Sequence, residues 1–166
     1  MNKKIKLMIA AAIFTITSMA QQKQTGMDTT VNLDHVGLSV GNLDKMEAWY
    51  KTCFNMREIQ HLEIESMQVR TVLLQAPNGF KVELIELKNS TREQRFTDPL
   101  NAASVQGYGH MALIVIDLHT VFNELINNGA LQVIPPSPAV KKGDTYAYVK
   151  DLEGNLIELI QNGRQL

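Results

Sequence analysis

Val36, Leu38 and Val40 fall on one side of an extended chain, and His35, Gly37 and Ser39 fall on the other. A period of two predicts a half-buried strand over 34–40. The period then lengthens. Leu43, Met46, Trp49, Tyr50, Cys53 and Phe54 recur at i, i+3 and i+7, which predicts an amphipathic helix capped at Gly41 or Asn42. Two strands are expected over 56–63 and 68–75, then a turn at Pro77-Asn78-Gly79 and a fourth strand over 80–87. The unit reads βαβββ.

A second unit follows the same grammar. A strand is expected over 108–116. Asp117 then caps a helix carrying Leu118, Val121, Phe122, Leu125 and Ile126, and Asn128-Gly129 stops it. A short strand over 131–134 is expected to end at Pro135-Pro136-Ser137-Pro138. Strands over 145–150 and 155–161 flank a turn at 151–154. When the halves are aligned so that His35 falls on His110, a single offset also sets Leu38 on Leu113, Val40 on Val115, Gly79 on Gly154 and Glu83 on Glu158. The period is too long for a solenoid and indicates duplication of a small module. The expected fold is α+β: tandem βαβββ modules over 31–88 and 108–164 whose sheets curl into a half-barrel. A polar linker, 89–107, is long enough to be a functional loop over a cleft. Trp49, Tyr50 and Phe122 are assigned to the core. His61 and His119 lack partners at the offset, and Glu63, Glu65 and Glu86 read as surface charge.

Composition changes this picture only at the N-terminus. The 166 residues are 45% hydrophobic and 20% charged with a formal charge of -1, an ordinary globular balance with no basic stripe for nucleic acid. The single cysteine, Cys53, excludes an intrachain disulfide and a thiolate zinc site. Lys3, Lys4 and Lys6 precede an apolar run, and Ser18-Met19-Ala20 supplies small residues for cleavage, so residues 1–20 read as a secretory signal peptide. That run is too short to span a bilayer comfortably, and no stable membrane span is expected after cleavage. Removing those lysines leaves 13 of the 16 basic residues against 17 acidic ones. The mature chain, with a flexible leader over 21–30, is thus expected to be mildly acidic and exported, periplasmic or secreted.

The duplicated His and Glu positions carry the chemistry. His35 shares its face with Gly37 and Ser39, and His110 with Ala112, so small neighbours leave a hollow beside each imidazole. Each module supplies one His at the head of its first strand and one Glu midway along its last, and the interval from His35 to Glu83 equals that from His110 to Glu158. Two imidazoles and two carboxylates suit a divalent cation, and octahedral coordination leaves two positions open for substrate oxygens. Zinc, nickel, cobalt, manganese and iron(II) all tolerate this mixture. The expectation is that His35, Glu83, His110 and Glu158 converge on one such ion, within one chain or across two in a homodimer.

The segments LDHVGLSVGNLDKMEAWYKTCFNM, PNGFKVELIEL, GYGHMALIV and DLEGNLIELIQ resemble the vicinal oxygen chelate superfamily, also called the glyoxalase and bleomycin-resistance fold. The likeness runs from about Val31 to Gln161 and is strongest to glyoxalase I, whose His, Glu, His, Glu order matches His35, Glu83, His110 and Glu158. It implies an ion that stabilises an enediolate formed from a hemithioacetal or a related vicinal-oxygen substrate, with Glu158 as the main base and Glu83 as ligand and second base. Pro138-Ala139-Val140-Lys141-Lys142-Gly143 resembles the family's thiol-cofactor loop, which implies substrate contacts for Lys141 and Lys142. Ser39 and Leu87 depart from an arginine and an asparagine common in the glutathione-dependent members, so the thiol cosubstrate stays open. The alternatives within the fold are an epimerase (usually Gln at the position of Glu83), a dioxygenase or thiol transferase with three protein ligands, and a non-enzymatic small-molecule-binding or resistance protein.

Overall fold

The computed structural model describes residues 32–92 and 96–163. The proposed signal peptide and leader lie outside the described residues. Among those described, no helix is long and apolar enough to cross a membrane.

In the first module, β1 (Val36–Val40) leads to α1 (Leu43–Phe54), β2 (Arg57–Ile64), β3 (Val69–Gln75) and β4 (Lys81–Leu87). After a short helix, α2 (Pro99–Ala103), the second module runs β5 (Met111–Ile114), α3 (Leu118–Asn127), β6 (Leu131–Pro138), β7 (Thr145–Lys150) and β8 (Leu156–Gln161). The strands form two four-stranded mixed sheets, ordered β1-β4-β3-β2 and β5-β8-β7-β6, with no closed barrel. The duplication holds at the level of register. Val36 pairs with Val82 and Gly37 with Glu83, while Met111 pairs with Ile157 and Ala112 with Glu158, so both members of each pair are displaced by the one offset that relates His35 to His110.

The helix starts follow from side-chain oxygens. Asn42 caps α1 by accepting from the Lys45 N–H at 2.9 Å, and Asp117 caps α3 by accepting from the Thr120 N–H at 3.1 Å. A further acceptor reaches in from each last strand. Glu86 accepts from the Leu43 N–H at 2.6 Å, and Gln161, its counterpart in the second module, accepts from the Leu118 N–H at 2.8 Å. Glu86 is therefore not idle surface charge: it satisfies an orphan donor in the first turn of α1 and lies favourably against its dipole. Glu86→Ala is expected to lower stability by about 1–2 kcal/mol, read as a lower midpoint in urea denaturation. A midpoint equal to that of the parent protein would return Glu86 to the surface class.

Three further expectations are corrected. β6 does not stop at Ile134 but continues through Pro135, Pro136 and Pro138. It is the edge strand of its sheet, and the prolines begin where its register against β7 shifts, between Ile134 and Ser137, so missing N–H groups cost few ladder bonds. β5 is shorter than 108–116 and runs only over Met111–Ile114, after Gly107 has turned the chain with a positive φ of 134°. The linker is not all loop. Asp98 and Pro99 start α2, with the Asp98 carboxylate accepting from the Asn101 N–H at 2.9 Å.

One core joins the modules. α1 packs on β3 and β4, and α3 packs on β6, β7 and β8. Leu43, Met46, Leu74, Leu84, Leu118, Leu125 and Leu159 are all sealed from solvent, and Trp49, Tyr50 and Phe122 are buried with them as expected. Each such side chain stabilises the fold by roughly 1.5–3 kcal/mol. Polar pins cross the seam. Trp49 Nε1–H donates to the Asn128 carbonyl at 2.9 Å, and Glu153 accepts from the Gly41 and Asn42 N–H groups at 2.7 and 2.9 Å. The Tyr50 hydroxyl donates to Asp151 at 3.2 Å, and burial followed by the neighbouring carboxylate pushes the Tyr50 pKa well up.

Candidate functional site

Parallel pairing of β1 with β4 sets Gly37 opposite Glu83, and His35, two residues earlier on the same side, turns its ring toward that carboxylate. His35 Nε2 lies 3.3 Å from Glu83 Oε2. In the second module Ala112 is opposite Glu158, and His110 Nε2 lies 3.1 Å from Glu158 Oε2. All four side chains remain open to solvent, the imidazoles 37% and 32% exposed and the carboxylates 27% and 19%.

One chain therefore brings the four residues together as two pairs and not as one cluster. Among the described residues no three His, Cys, Asp or Glu side chains gather closely enough to hold a metal ion. Each first strand hydrogen-bonds only to the last strand of its own module, which is why each histidine meets the glutamate of its own sheet. The donor set itself fits a divalent ion. Each pair offers an imidazole nitrogen and a carboxylate oxygen already side by side and accessible, the mixture that borderline metals accept.

The two pairs differ in what stands behind them. Asp34 Oδ1 accepts from His35 Nδ1 at 2.8 Å, and Lys81 Nζ donates to Asp34 Oδ2 at 2.5 Å. That lysine, followed by His35, holds the Asp34 carboxyl below the usual carboxylate range. In the second module Gly109 takes the place of Asp34 and Leu156 that of Lys81, so His110 has neither. It has Tyr148 instead, where the first module has Leu73. The Tyr148 hydroxyl lies 3.4 Å from His110 Nε2, and the rings meet edge to face at 5.3 Å between centroids. Burial, then the Glu158 carboxylate, push the Tyr148 phenol above its ordinary pKa. Sequence reasoning missed Asp34, Lys81 and Tyr148. Their signal in the chain is a difference at the duplicated positions, where Asp34, Lys81 and Tyr148 stand against Gly109, Leu156 and Leu73.

A cleft of about 390 Å³ opens between the modules. Val36, Leu38, Phe80 and Met111 give it an apolar lining, and His110 joins them. Arg92 and Phe96 of the linker, and Tyr108 just after it, also line it. Neither Glu83 nor Glu158 lines it, so this cleft and the carboxylates do not form one site. Lys141 and Lys142 lie in the exposed β6–β7 loop, where Lys141 donates to Asp144 at 2.8 Å; neither faces the cleft. His61 and His119 stay at the surface, His61 3.5 Å from Glu63.

Residues 34–148 match the family model of the Glyoxalase/Bleomycin resistance protein/Dioxygenase superfamily. The chain is 31% identical over 129 residues to a protein of Vibrio cholerae named probable lactoylglutathione lyase, covering 77% of this chain and 88% of that one. It is 27% identical over 130 residues to the lactoylglutathione lyase of Arabidopsis thaliana, covering 78% of this chain and 44% of that one. The chain thus spans less than half the length of the plant relatives it matches. Among solved structures, a glyoxalase family protein from Bacillus cereus superposes with a TM-score of 0.67 at 20% identity, over 81% of this chain and 95% of that one. Glyoxalase I from Zea mays gives 0.64 at 22% identity, over 81% and 45%. At those identities the structural likeness establishes the fold.

Proposed function

This chain belongs to the glyoxalase/bleomycin resistance protein/dioxygenase superfamily, and we propose from that premise that it is an exported, metal-dependent lyase of the glyoxalase I type, acting on a hemithioacetal or a related vicinal-oxygen substrate. The observation that carries the reading is the doubled His–Glu pair: same residue types, same strands, same register, Nε2 to Oε2 in both. His35, Glu83, His110 and Glu158 would hold the ion.

Two chains complete the set, His35 and Glu83 of one facing His110 and Glu158 of the other. Exposed apolar side chains beside the pairs support this. Leu62, Ile64 and Leu87 share the face of Glu83 and are 39–45% exposed, and Ile114 shares the face of Glu158 and is 62% exposed. A second copy would remove that surface from water, and a twofold axis makes the contact self-complementary. When bound, a divalent ion supplies Lewis acidity toward vicinal oxygens. Glu158 is the base that carries the proton between adjacent carbons, with Glu83 across the site as the second carboxylate. His110 and Tyr148 hold Glu158 in place, and Lys141 and Lys142 offer charge to an acidic group of the substrate. Ser39 and Leu87 leave open which thiol forms the adduct.

The test uses the mature protein. We expect one divalent ion per chain by atomic spectroscopy after reconstitution with zinc, nickel, cobalt, manganese or iron(II), a dimer mass by sedimentation, and turnover of methylglyoxal with at least one of a panel of thiols. Chelator should abolish that turnover. A monomer that binds none of these ions overturns the reading. Full metal occupancy with no turnover by any adduct points instead to another chemistry of the fold.

A further inference from the structure

Resting on the reading that His35 and Glu83 hold an ion, we propose that Asp34, braced by Lys81, is a positioning residue that fixes the His35 imidazole for coordination. A ring with its proton on Nδ1 donates to Asp34 Oδ1 at 2.8 Å and leaves the Nε2 lone pair facing Glu83, 3.3 Å away. Such outer carboxylates set the tautomer and orientation of ligating histidines and raise their basicity. The aspartate alone would be a loose support, since its side chain is 62% exposed. Lys81, only 21% exposed, holds the other oxygen and so removes its freedom to swing away. Lys81 and Glu83 stand two residues apart on the same face of β4, so one strand carries both the ligand and the brace for its partner.

The duplication supplies an internal control. The second module builds the same sheet, in the same register, with Gly109 and Leu156 where the first has Asp34 and Lys81. The fold therefore does not require the Asp–Lys pair, and a role beside the imidazole is what remains for it. The site is accordingly unequal: one histidine is held from behind, and the other is approached by a tyrosine at the nitrogen that faces its glutamate.

The experiment compares the full mature protein with Asp34→Ala and Lys81→Met, using cobalt(II) as the probe. Affinity is read by competition titration and calorimetry, and the thermal midpoint checks the fold. Asp34→Ala should weaken cobalt binding about 10–100-fold, Lys81→Met should weaken it less, and both should melt close to the parent. In metal-free protein, nitrogen-15 spectra at a pH where the ring is neutral should place the His35 proton on Nδ1, and on Nε2 in Asp34→Ala. Unchanged cobalt affinity in Asp34→Ala, or a parent ring protonated on Nε2, overturns the proposal. A parent protein that binds no cobalt overturns the metal reading instead, and the nitrogen spectra then decide the positioning role by themselves.

Discussion

Glu158→Gln is expected to lower kcat by at least about 10²–10⁴-fold, the usual worth of a positioned general base. The substitution keeps the volume and one acceptor oxygen of the side chain, so the strand, its pairing with Ala112 and the contact with His110 should persist. What it removes is the capacity to take a proton. Glu158 is suited to that work: midway along β8, 19% exposed, it stands beside an imidazole and under a buried tyrosine that restricts it without sealing it off. The measurement is steady-state kinetics on reconstituted protein with whichever thiol adduct supports turnover, with metal content and thermal midpoint taken alongside. A loss confined to kcat, with metal retained, marks the base. Turnover at the parent rate would remove Glu158 from that role, whatever it does for the ion.

The second large effect concerns stability. Asp151→Ala is expected to cost about 3–5 kcal/mol, the range seen when one member of a buried charged network is deleted. Asp151 is fully buried, the one charged residue so placed among the described residues. Its Oδ1 accepts from the Glu153 and Asn155 N–H groups at 3.0 and 2.9 Å, and its Oδ2 from the Asn155 amide at 2.7 Å and the Tyr50 hydroxyl at 3.2 Å. Alanine would leave all four donors without their acceptor, and a stranded buried donor costs about 1–3 kcal/mol. Against a total stability of about 5–15 kcal/mol, this is a large share. Tyr50→Phe removes one bond and is expected to cost only about 1 kcal/mol. Urea denaturation separates the two through the midpoint at constant slope. If Asp151→Ala unfolded within about 1 kcal/mol of the parent, the seam between α1 and the β7–β8 turn would not depend on this carboxylate.

Much of the architecture was legible because it is local. The alternation in 34–40, the helical spacing from Leu43 to Phe54 and the Asp117 cap each involve residues within a few positions of one another, and each element appears. The β7 strand was read to the residue. The prolines of β6 misled because their meaning depends on whether a strand lies at an edge, which is a property of the sheet. Glu86 and Asp151 were opaque for a related reason. Nothing near either residue in the chain announces that Leu43 or Tyr50 is the donor it will meet, 43 and 101 residues away.

The candidate site divides along the same line. Equal spacing of His35 to Glu83 and His110 to Glu158 followed from the sequence alone, because a duplicated module repeats its chain length and hence its register. That the four residues stand as two separate pairs was decided by the tertiary structure, since strand order couples each histidine only to the glutamate of its own sheet. The inequality of the pairs was likewise written in the chain as Asp34 against Gly109 and Leu73 against Tyr148. It acquired meaning only when folding set Lys81 behind Asp34 and the phenol beside His110. Periodicity and capping act through neighbours in the chain, whereas hydrogen bonds and charge act through space, and only the folded sheets bring those distant groups within reach.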